Sequence, residues 1–461
     1  MMEADTIAAI ATSVGHAGIG IVRVSGPASR MIARAVFRNK SGQGISDFEP
    51  RKLVYGMVID PRNGNKIDEV LCVFMPGPNS YTAEDVIEIH GHGGPLVIRN
   101  ILRIVLAQGA RLANPGEFTL RAFLNGRIDL LQAEAIMGVI QAKTDAALKN
   151  ATMQMSGDVS RQISCLRSEL MVQLVHLEAS LDYPEEDIRA PLAEEFSGFL
   201  TCFLQSVDKL LSAAHTGKVY RDGLRTVIIG RPNVGKSTLL NALLGEERAL
   251  VTDVPGTTRD SIEEIINIRG IPLQIVDTAG LRETNDTVEL LGMKRTREFI
   301  ESAGLILVMI DAQDPFGAED LIIIKSLPKV PVIIVVNKID LPHLADLPVW
   351  HEVVRDYPVV SLSAKERSGI EDLENMIEQL ILSDGATLSI DGCIDNVRQI
   401  ECLNTAKQCV LSALGAIREG MPLDCVSIDL RAAIQSLGQI TGDTVSDEIV
   451  KEIFSKFCLG K

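Results

Sequence analysis

No stretch of this chain comes near the roughly 20 consecutive apolar residues that a membrane-spanning helix needs. No early segment joins a positively charged start to an apolar run and a small-residue cleavage site either. The sequence thus predicts a cytoplasmic protein that does not enter a membrane. Basic charge is in deficit as well: 45 Lys and Arg stand against 61 Asp and Glu, a net charge of -16. That balance excludes a surface holding nucleic acid by uniform positive charge, so any nucleic-acid contact has to be a local patch or belong mainly to a partner. The eight cysteines, Cys72, Cys165, Cys202, Cys393, Cys402, Cys409, Cys425 and Cys458, form no CxxC pair and find no histidine at zinc-finger spacing. In a cytosolic setting this implies free thiols, most of them small core residues. Internal repeats and low-complexity tracts are lacking too.

Against these absences stands one dense motif. Gly230-Arg231-Pro232-Asn233-Val234-Gly235-Lys236-Ser237 follows the apolar run Thr226 to Ile229 and precedes the helix-like Thr238 to Leu244. Strand, glycine-rich turn and helix in that order make a phosphate-binding loop, with Asn233, Val234, Gly235, Lys236, Ser237 and Thr238 around the nucleotide. The backbone N–H groups surround the phosphates, Lys236 neutralises their β and γ oxygens, and the Ser237 hydroxyl suits Mg²⁺. Asp277-Thr278-Ala279-Gly280 comes after the strand-like Leu273 to Val276, where its Asp can hold the Mg²⁺ shell and Gly280 leaves room for a backbone N–H near the γ-phosphate. Asn337-Lys338-Ile339-Asp340 ends the apolar run Val332 to Val336. The Asp340 carboxylate accepts only, which matches the donor edge of guanine and not of adenine. Ser363-Ala364-Lys365, after Val359 to Leu362, completes the set with a backbone contact to guanine O6. Alone, either the second or the third motif is a common loop sequence; in order, each after a predicted strand, they specify a GTP site.

A further absence concerns the chemistry. Ras-like switches carry a Gln after DxxG to orient the attacking water, whereas Leu281 stands here, and an alkyl chain neither donates nor accepts. Hydrolysis must use something else. The residues offer Asn233, whose amide oxygen can bind a monovalent cation, the carbonyl-rich loop Thr252 to Asp260, and Glu283 and Glu289. A K⁺ beside the phosphates would fill the electrostatic role of an arginine finger. Asn233 also reads as an ordinary turn residue and Glu289 as a solvated helix charge.

Coarse patterning divides the chain in four. Residues 1–120 mix short apolar runs with turn clusters such as Pro61 to Asn65, as in an α+β domain. Over 121–218, Ile163, Leu166, Leu170, Leu174, Leu177 and Leu181 recur at helical spacing until Pro184. Strands and helices alternate over 219–383, and 384–461 is helical again, so an α/β domain is inserted into one helical domain.

Gly256 to Asp260, Asp277 to Glu283 and the terminal Cys458-Leu459-Gly460-Lys461 resemble the bacterial MnmE, or TrmE, family of tRNA modification GTPases. The likeness runs the whole length, through Asp5 to Thr12, Gly18 to Gly26, Ser80 to Val86, Pro115 to Phe118, Asn125 to Leu130 and Tyr183 to Asp187. It implies a folate-binding and dimerising amino-terminal α+β domain, a discontinuous helical domain and an inserted Ras-like G domain. The folate, 5-formyltetrahydrofolate or a related one-carbon form, would meet Arg23, Glu88, Arg127 and Lys461. GTP contacts extend to Thr252, Asp253, Val254, Pro255, Gly256, Thr257, Thr258, Asp277, Thr278, Ala279 and Gly280. K⁺ falls to Asn233, Thr252, Val254 and Thr257, and Mg²⁺ to Ser237 and Thr258. Glu289 orients water, with Asp277, Arg259 and Arg282 also in the catalytic set. A homodimer would work with an MnmG-family FAD protein, FAD being on that partner, to modify C5 of the tRNA wobble uridine with an aminomethyl or carboxymethylaminomethyl group.

Two segments depart from the family pattern: Val14-Gly15-His16-Ala17-Gly18, and Ala83 in place of a glycine. If the backbone at 83 needs positive φ, the added Cβ is disfavoured. A ribosome-assembly GTPase of the Era or EngA type would carry a KH-like module with GxxG or a second G domain, whereas this chain has one P-loop and a helical tail. A signalling switch would leave the amino-terminal domain and the terminal Cys-Leu-Gly-Lys without a purpose.

Overall fold

The computed structural model describes residues 5–13, 15–42, 49–182, 193–245, 263–276, 299–300, 302–314, 318–325, 327–328, 330–342, 355–382, 393–458 and 460–461. The chain packs as two units, Met1–Met137 with Ser160–Met171 and Ile434–Lys461, and Gly138–Val159 with Val172–Ala433. No helix among the described residues is long and apolar enough to cross a membrane.

The first unit is built on seven strands: β1 (Ile7–Ile10), β2 (Ala17–Ser25), β3 (Phe37–Asn39), β4 (Val54–Ile59), β5 (Lys66–Met75), β6 (Val86–Gly93) and β7 (Arg111–Leu112). Their order is β3-β4-β5-β6-β2-β1-β7. All pairs are antiparallel except β1 with β7. Period-two alternation sorts the residues. Val22, Val24, Val70, Cys72, Ile87 and Ile89 pack with Ile32, Val36, Ile98, Ile101 and Val105 of the helices Ser29–Val36 and Pro95–Ala107. Each such buried side chain is worth about 1.5–3 kcal/mol. Arg23 and Glu88, registered opposite each other between those apolar residues, are thereby placed on the other face. The chain end joins this unit: Phe454 and Phe457 bury against Leu130 and Ala133 of the helix Leu130–Gln141.

The second unit holds β8 (Leu224–Gly230), β9 (Glu263–Ile268), β10 (Ile271–Val276), β11 (Leu305–Asp311), β12 (Val332–Asn337) and β13 (Val359–Ser361). The order is β13-β12-β11-β8-β10-β9, with only the β9 edge antiparallel. The apolar runs are continuous because both faces are covered. Ile228, Leu307 and Val335 pack on one side, and Val227, Val308 and Ile334 on the other. Helix Ala193–Asp222 feeds β8 through Gly223 at φ 81, where a Cβ would meet the Pro272 carbonyl oxygen at 2.9 Å. The same helix packs on Val397–Arg418, which follows the sheet in sequence, with a Lys407–Asp208 ion pair at 2.6 Å.

Two sequence expectations need correction. The stripe on helix Asp158–Asp182 buries Ile163, Leu166, Leu170, Leu174 and Leu177, but Leu181 is 36% exposed, because the packed stripe stops before the last helical turn. All eight cysteines are free, yet only Cys72, Cys393 and Cys402 are buried. Cys165 and Cys202 lie on the solvent faces of long helices, and Cys458 is exposed in the terminal segment.

Where the chain returns to the helices after the second sheet, Asn150 on helix Asp145–Met155 ties it down. Its amide oxygen accepts from the Cys393 N–H at 2.7 Å, and its NH₂ donates to the Asp395 carboxylate at 2.9 Å. Burial pushes the Asp395 carboxyl up to about 6, against the pull of Arg221 at 3.4 Å. A carboxyl whose folded pKa lies above its unfolded value destabilises the fold as pH rises from about 4 through 6, by roughly 2–3 kcal/mol once complete. Asp395→Asn keeps the hydrogen-bonding shape without the charge. It is expected to raise stability by about that amount at pH 7.5 and to be neutral near pH 4, as measured by denaturant melts across pH.

Candidate nucleotide and anion sites

The carboxyl ends of parallel strands of the second sheet carry the P-loop, Asn337 to Asp340 and Ser363 to Lys365. β8 ends in the P-loop, whose turn uses three positive φ values: Gly230 at 151, Asn233 at 62 and Gly235 at 101. Asparagine is among the few side chains that tolerate this region, which satisfies the turn reading of Asn233 while leaving its exposed amide free of that duty. At Gly235 no side chain is possible, since a Cβ would stand 2.3 Å from Asn337 Nδ2. Lys236 opens the helix Lys236–Leu244, and its ammonium donates to the carbonyls of Gly230 at 3.0 Å and Arg231 at 2.8 Å. Ser237 and Thr238 are exposed in the first turn, where unpaired N–H groups favour an anion.

Asn337, at the end of β12, is 3% exposed and braces the site. Its Nδ2 donates to the Val234 carbonyl at 2.8 Å, and its Oδ1 accepts from the Ala364 N–H at 2.9 Å. One side chain therefore ties the P-loop to the loop after β13. Lys338, at φ 68, turns its ammonium onto Asp311 at 2.5 Å. Asp340 is held below the ordinary carboxylate range, first by a hydrogen bond from Ser363 and then by Lys365 and Lys338. It is ready to accept from a neutral donor edge. Thr252, Asp253, Val254, Pro255, Gly256, Thr257, Thr258, Arg259, Asp277, Thr278, Ala279, Gly280, Arg282 and Glu289 lie outside the described residues.

The first unit gathers a second constellation. Arg23 Nε donates to Glu88 Oε1 at 2.8 Å, and His90 Nε2 sits 3.1 Å from Glu88 Oε2. Burial raises the Glu88 carboxyl, but the His90 hydrogen bond and the Arg23 charge outweigh it and hold it below its ordinary value. The Arg23 guanidinium lies 4.8 Å from the Tyr81 ring centroid and that of Arg127 4.9 Å from it. Two cations on one ring beside one carboxylate suit an anionic ligand with a donor edge. Arg127 is delivered by a helix stop: after Glu117–Leu124, Gly126 takes φ 70 and the Arg127 N–H bonds back to the Ala122 carbonyl at 2.9 Å.

Tyr81 rides on a tightly held loop. Ala83 takes φ 62, the strained conformation its departure from glycine raised as a concern, and neighbouring bonds enforce it: Thr82 Oγ1 to Ser25 Oγ at 2.7 Å and Asn125 Nδ2 to the Thr82 carbonyl at 2.8 Å. The chain terminus completes the set. Gly460, at φ 91, leaves no room for a Cβ, which would stand 2.2 Å from the Ile10 carbonyl oxygen. Its own carbonyl accepts from Arg23 at 3.4 Å, which brings Lys461 to the neighbourhood. A groove of about 230 Å³ lies between Ile10, Ser13, Gly15, Ile19 and Ile98, and none of Arg23, Tyr81, Glu88 and Arg127 lines it. Sequence reasoning named Arg23, Glu88, Arg127 and Lys461 but missed Tyr81 and His90 as members. The period-two spacing of Glu88 and His90 on β6 was the available signal.

The family model described as "MnmE helical domain" matches residues 130–458, and that described as "GTP-binding protein TrmE N-terminus" matches 6–127. The chain belongs to the MnmE family of tRNA modification GTPases. It is 44% identical over 457 residues to the tRNA modification GTPase MnmE of Alkaliphilus oremlandii, covering 99% of each chain. It is 47% identical to that of Heliobacterium modesticaldum and 45% to that of Geobacillus kaustophilus, covering all of both chains in each case. The MnmE helical-domain match runs from before β8 to beyond β13, so the second sheet lies within its span.

Gly235→Ala is the sharpest probe of the nucleotide loop. The positive φ alone costs about 1–3 kcal/mol for a residue with a Cβ, and the Asn337 contact adds to it. Guanine-nucleotide affinity is expected to fall by roughly tenfold or more, as read by fluorescence titration.

Proposed function

We propose that this chain hydrolyses GTP in the course of tRNA modification, acting at C5 of the wobble uridine together with an MnmG-family FAD protein. The brace made by Asn337 between the P-loop and the guanine-side loop is the observation that supports the nucleotide half most directly. The Arg23, Glu88, Tyr81 and Arg127 constellation supports the other half, an anionic one-carbon folate held in the first unit. Bound there, the folate would supply the carbon added to the base. Glu88 would accept from the pterin's amino edge, while Arg23, Arg127 and Lys461 would meet its negative charge. Among the described residues, no group of three or more His, Cys, Asp and Glu side chains is placed to hold a metal ion, and the cation ligands proposed on the nucleotide side are hydroxyl, amide and carbonyl oxygens.

On the nucleotide side, Lys236 and the N–H groups of the P-loop hold the phosphates, Ser237 and Thr258 serve Mg²⁺, and Asn233 with the carbonyls of Thr252, Val254 and Thr257 serves K⁺. Bound K⁺ would supply positive charge where a Ras-like protein receives an arginine finger. Leu281 cannot orient water, so that task falls to Glu289, supported by Arg259 and Arg282, with Asp277 on the Mg²⁺ shell. We assign four domains, 1–120, 121–218, 219–383 and 384–461, in a cytoplasmic homodimer whose G domains meet across their nucleotide faces.

Nucleoside mass spectrometry of tRNA from a strain lacking this gene tests the reading. The 5-substituted wobble uridines should vanish and return with the wild-type gene but not with Asp277→Ala. Their persistence in the deletion strain would place the GTPase elsewhere, with ribosome assembly the next process to examine.

A further inference from the structure

The chain's acidic surplus is not spread evenly. No Asp or Glu occurs between Asp5 and Asp47, nor between Glu88 and Glu117. Those two acid-free stretches contain the helices Ser29–Val36 and Pro95–Ala107, which lie together on one face of the first sheet and share its core. The two helices carry Arg30, Arg34, Arg99 and Arg103 on that face, and Arg38 and Lys40 follow the first helix in the strand Phe37–Asn39 and the turn after it.

Some of these cations have structural duties. Arg38 folds onto the carbonyls of Arg34, Ala35 and Phe37 at 3.0, 3.1 and 2.8 Å, which closes its own helix end, and Arg30 stacks 5.2 Å from the Phe74 ring centroid. Arg34, Lys40, Arg99 and Arg103 are exposed. The field of Arg103 reaches Asp60, but that carboxylate is buried and already paired with Arg62 at 2.7 Å. Neither helix carries an acidic residue, in a chain of net charge -16. Alternation along β2 and β6 puts Arg23 and Glu88 on the opposite face, so the patch is separate from the anion site.

We infer that this helix-covered face of the first sheet docks the phosphate backbone of RNA, with Arg34, Lys40 and Arg103 as contacts and Arg99 at its border with the groove. The inference rests on the tRNA-modification reading and goes beyond it by saying where the tRNA lies. Exposed Met31 and Leu96 on the same helices would also suit a protein partner. The exclusion of every acid from both helices favours the polyanion, because affinity for a phosphate backbone grows with each cation that releases counterions and drops with each nearby carboxylate.

The test is binding of an unmodified tRNA transcript to the full chain, followed by fluorescence anisotropy across KCl. The triple variant Arg34→Ala, Lys40→Ala, Arg103→Ala is compared with a control that also removes three exposed cations, Lys149→Ala, Arg418→Ala, Lys451→Ala. The patch variant should bind about tenfold or more weakly at low salt, with a log–log salt slope shallower by roughly one per lost contact. Its GTP hydrolysis and thermal melting should match wild type, and the control should bind as wild type does. Equal binding by the two triple variants overturns the inference, as does a wild type that binds no tRNA. Intact tRNA binding with lost modification would overturn it in favour of a protein-docking surface. The modification reading itself is judged by the nucleoside analysis, so the two can fail separately.

Discussion

A single buried carboxamide organises the nucleotide end of this molecule. Asn337 gives one hydrogen bond to the Val234 carbonyl and takes one from the Ala364 N–H, so three loops that are far apart in sequence share one fulcrum. Removing either bond would leave a buried polar group unsatisfied, at about 1–3 kcal/mol. The demand spreads outward from there. Gly235 must lack a side chain because Asn337 Nδ2 occupies that space, and Lys338 pairs with Asp311 at the end of the neighbouring strand. The parallel strands that position these loops are buried on both faces, which is why their runs can be wholly apolar.

The first unit solves a different problem with similar means. Its anion constellation depends on non-local closure: the terminal Gly460 lies against Ile10 and within reach of Arg23, while Phe454 and Phe457 anchor the preceding helix. Ala83 at φ 62 shows that the loop carrying Tyr81 is held by its surroundings, since the side chain alone would disfavour that backbone. The two faces of the sheet then take different tasks. One gathers Arg23, Glu88 and His90, and the other is roofed by two helices without an acidic residue.

The nucleotide motifs were legible because each is short, contiguous and placed after an apolar run; the P-loop, Asn337 to Asp340 and Ser363 to Lys365 all sit at strand ends as expected. Tyr81 and His90 were harder to see, because their roles come from pairing across the sheet and from a loop closed by Asn125. The exposed Cys165 and Cys202 show the limit of a composition argument, which cannot say which side of a helix faces water. Asp395 is similar: only the helices around it reveal a carboxyl pushed up by burial.

Guanine recognition by Asp340 is the point on which the nucleotide assignment turns. The direct measurement is titration of Asp340→Asn with guanosine and xanthosine diphosphates. An amide in place of the carboxylate loses two charge-assisted bonds to guanine and gains a donor for the xanthine carbonyl. Affinity should shift from guanosine to xanthosine diphosphate, the former weakening by on the order of a hundredfold. Unchanged guanosine diphosphate binding would contradict the assignment.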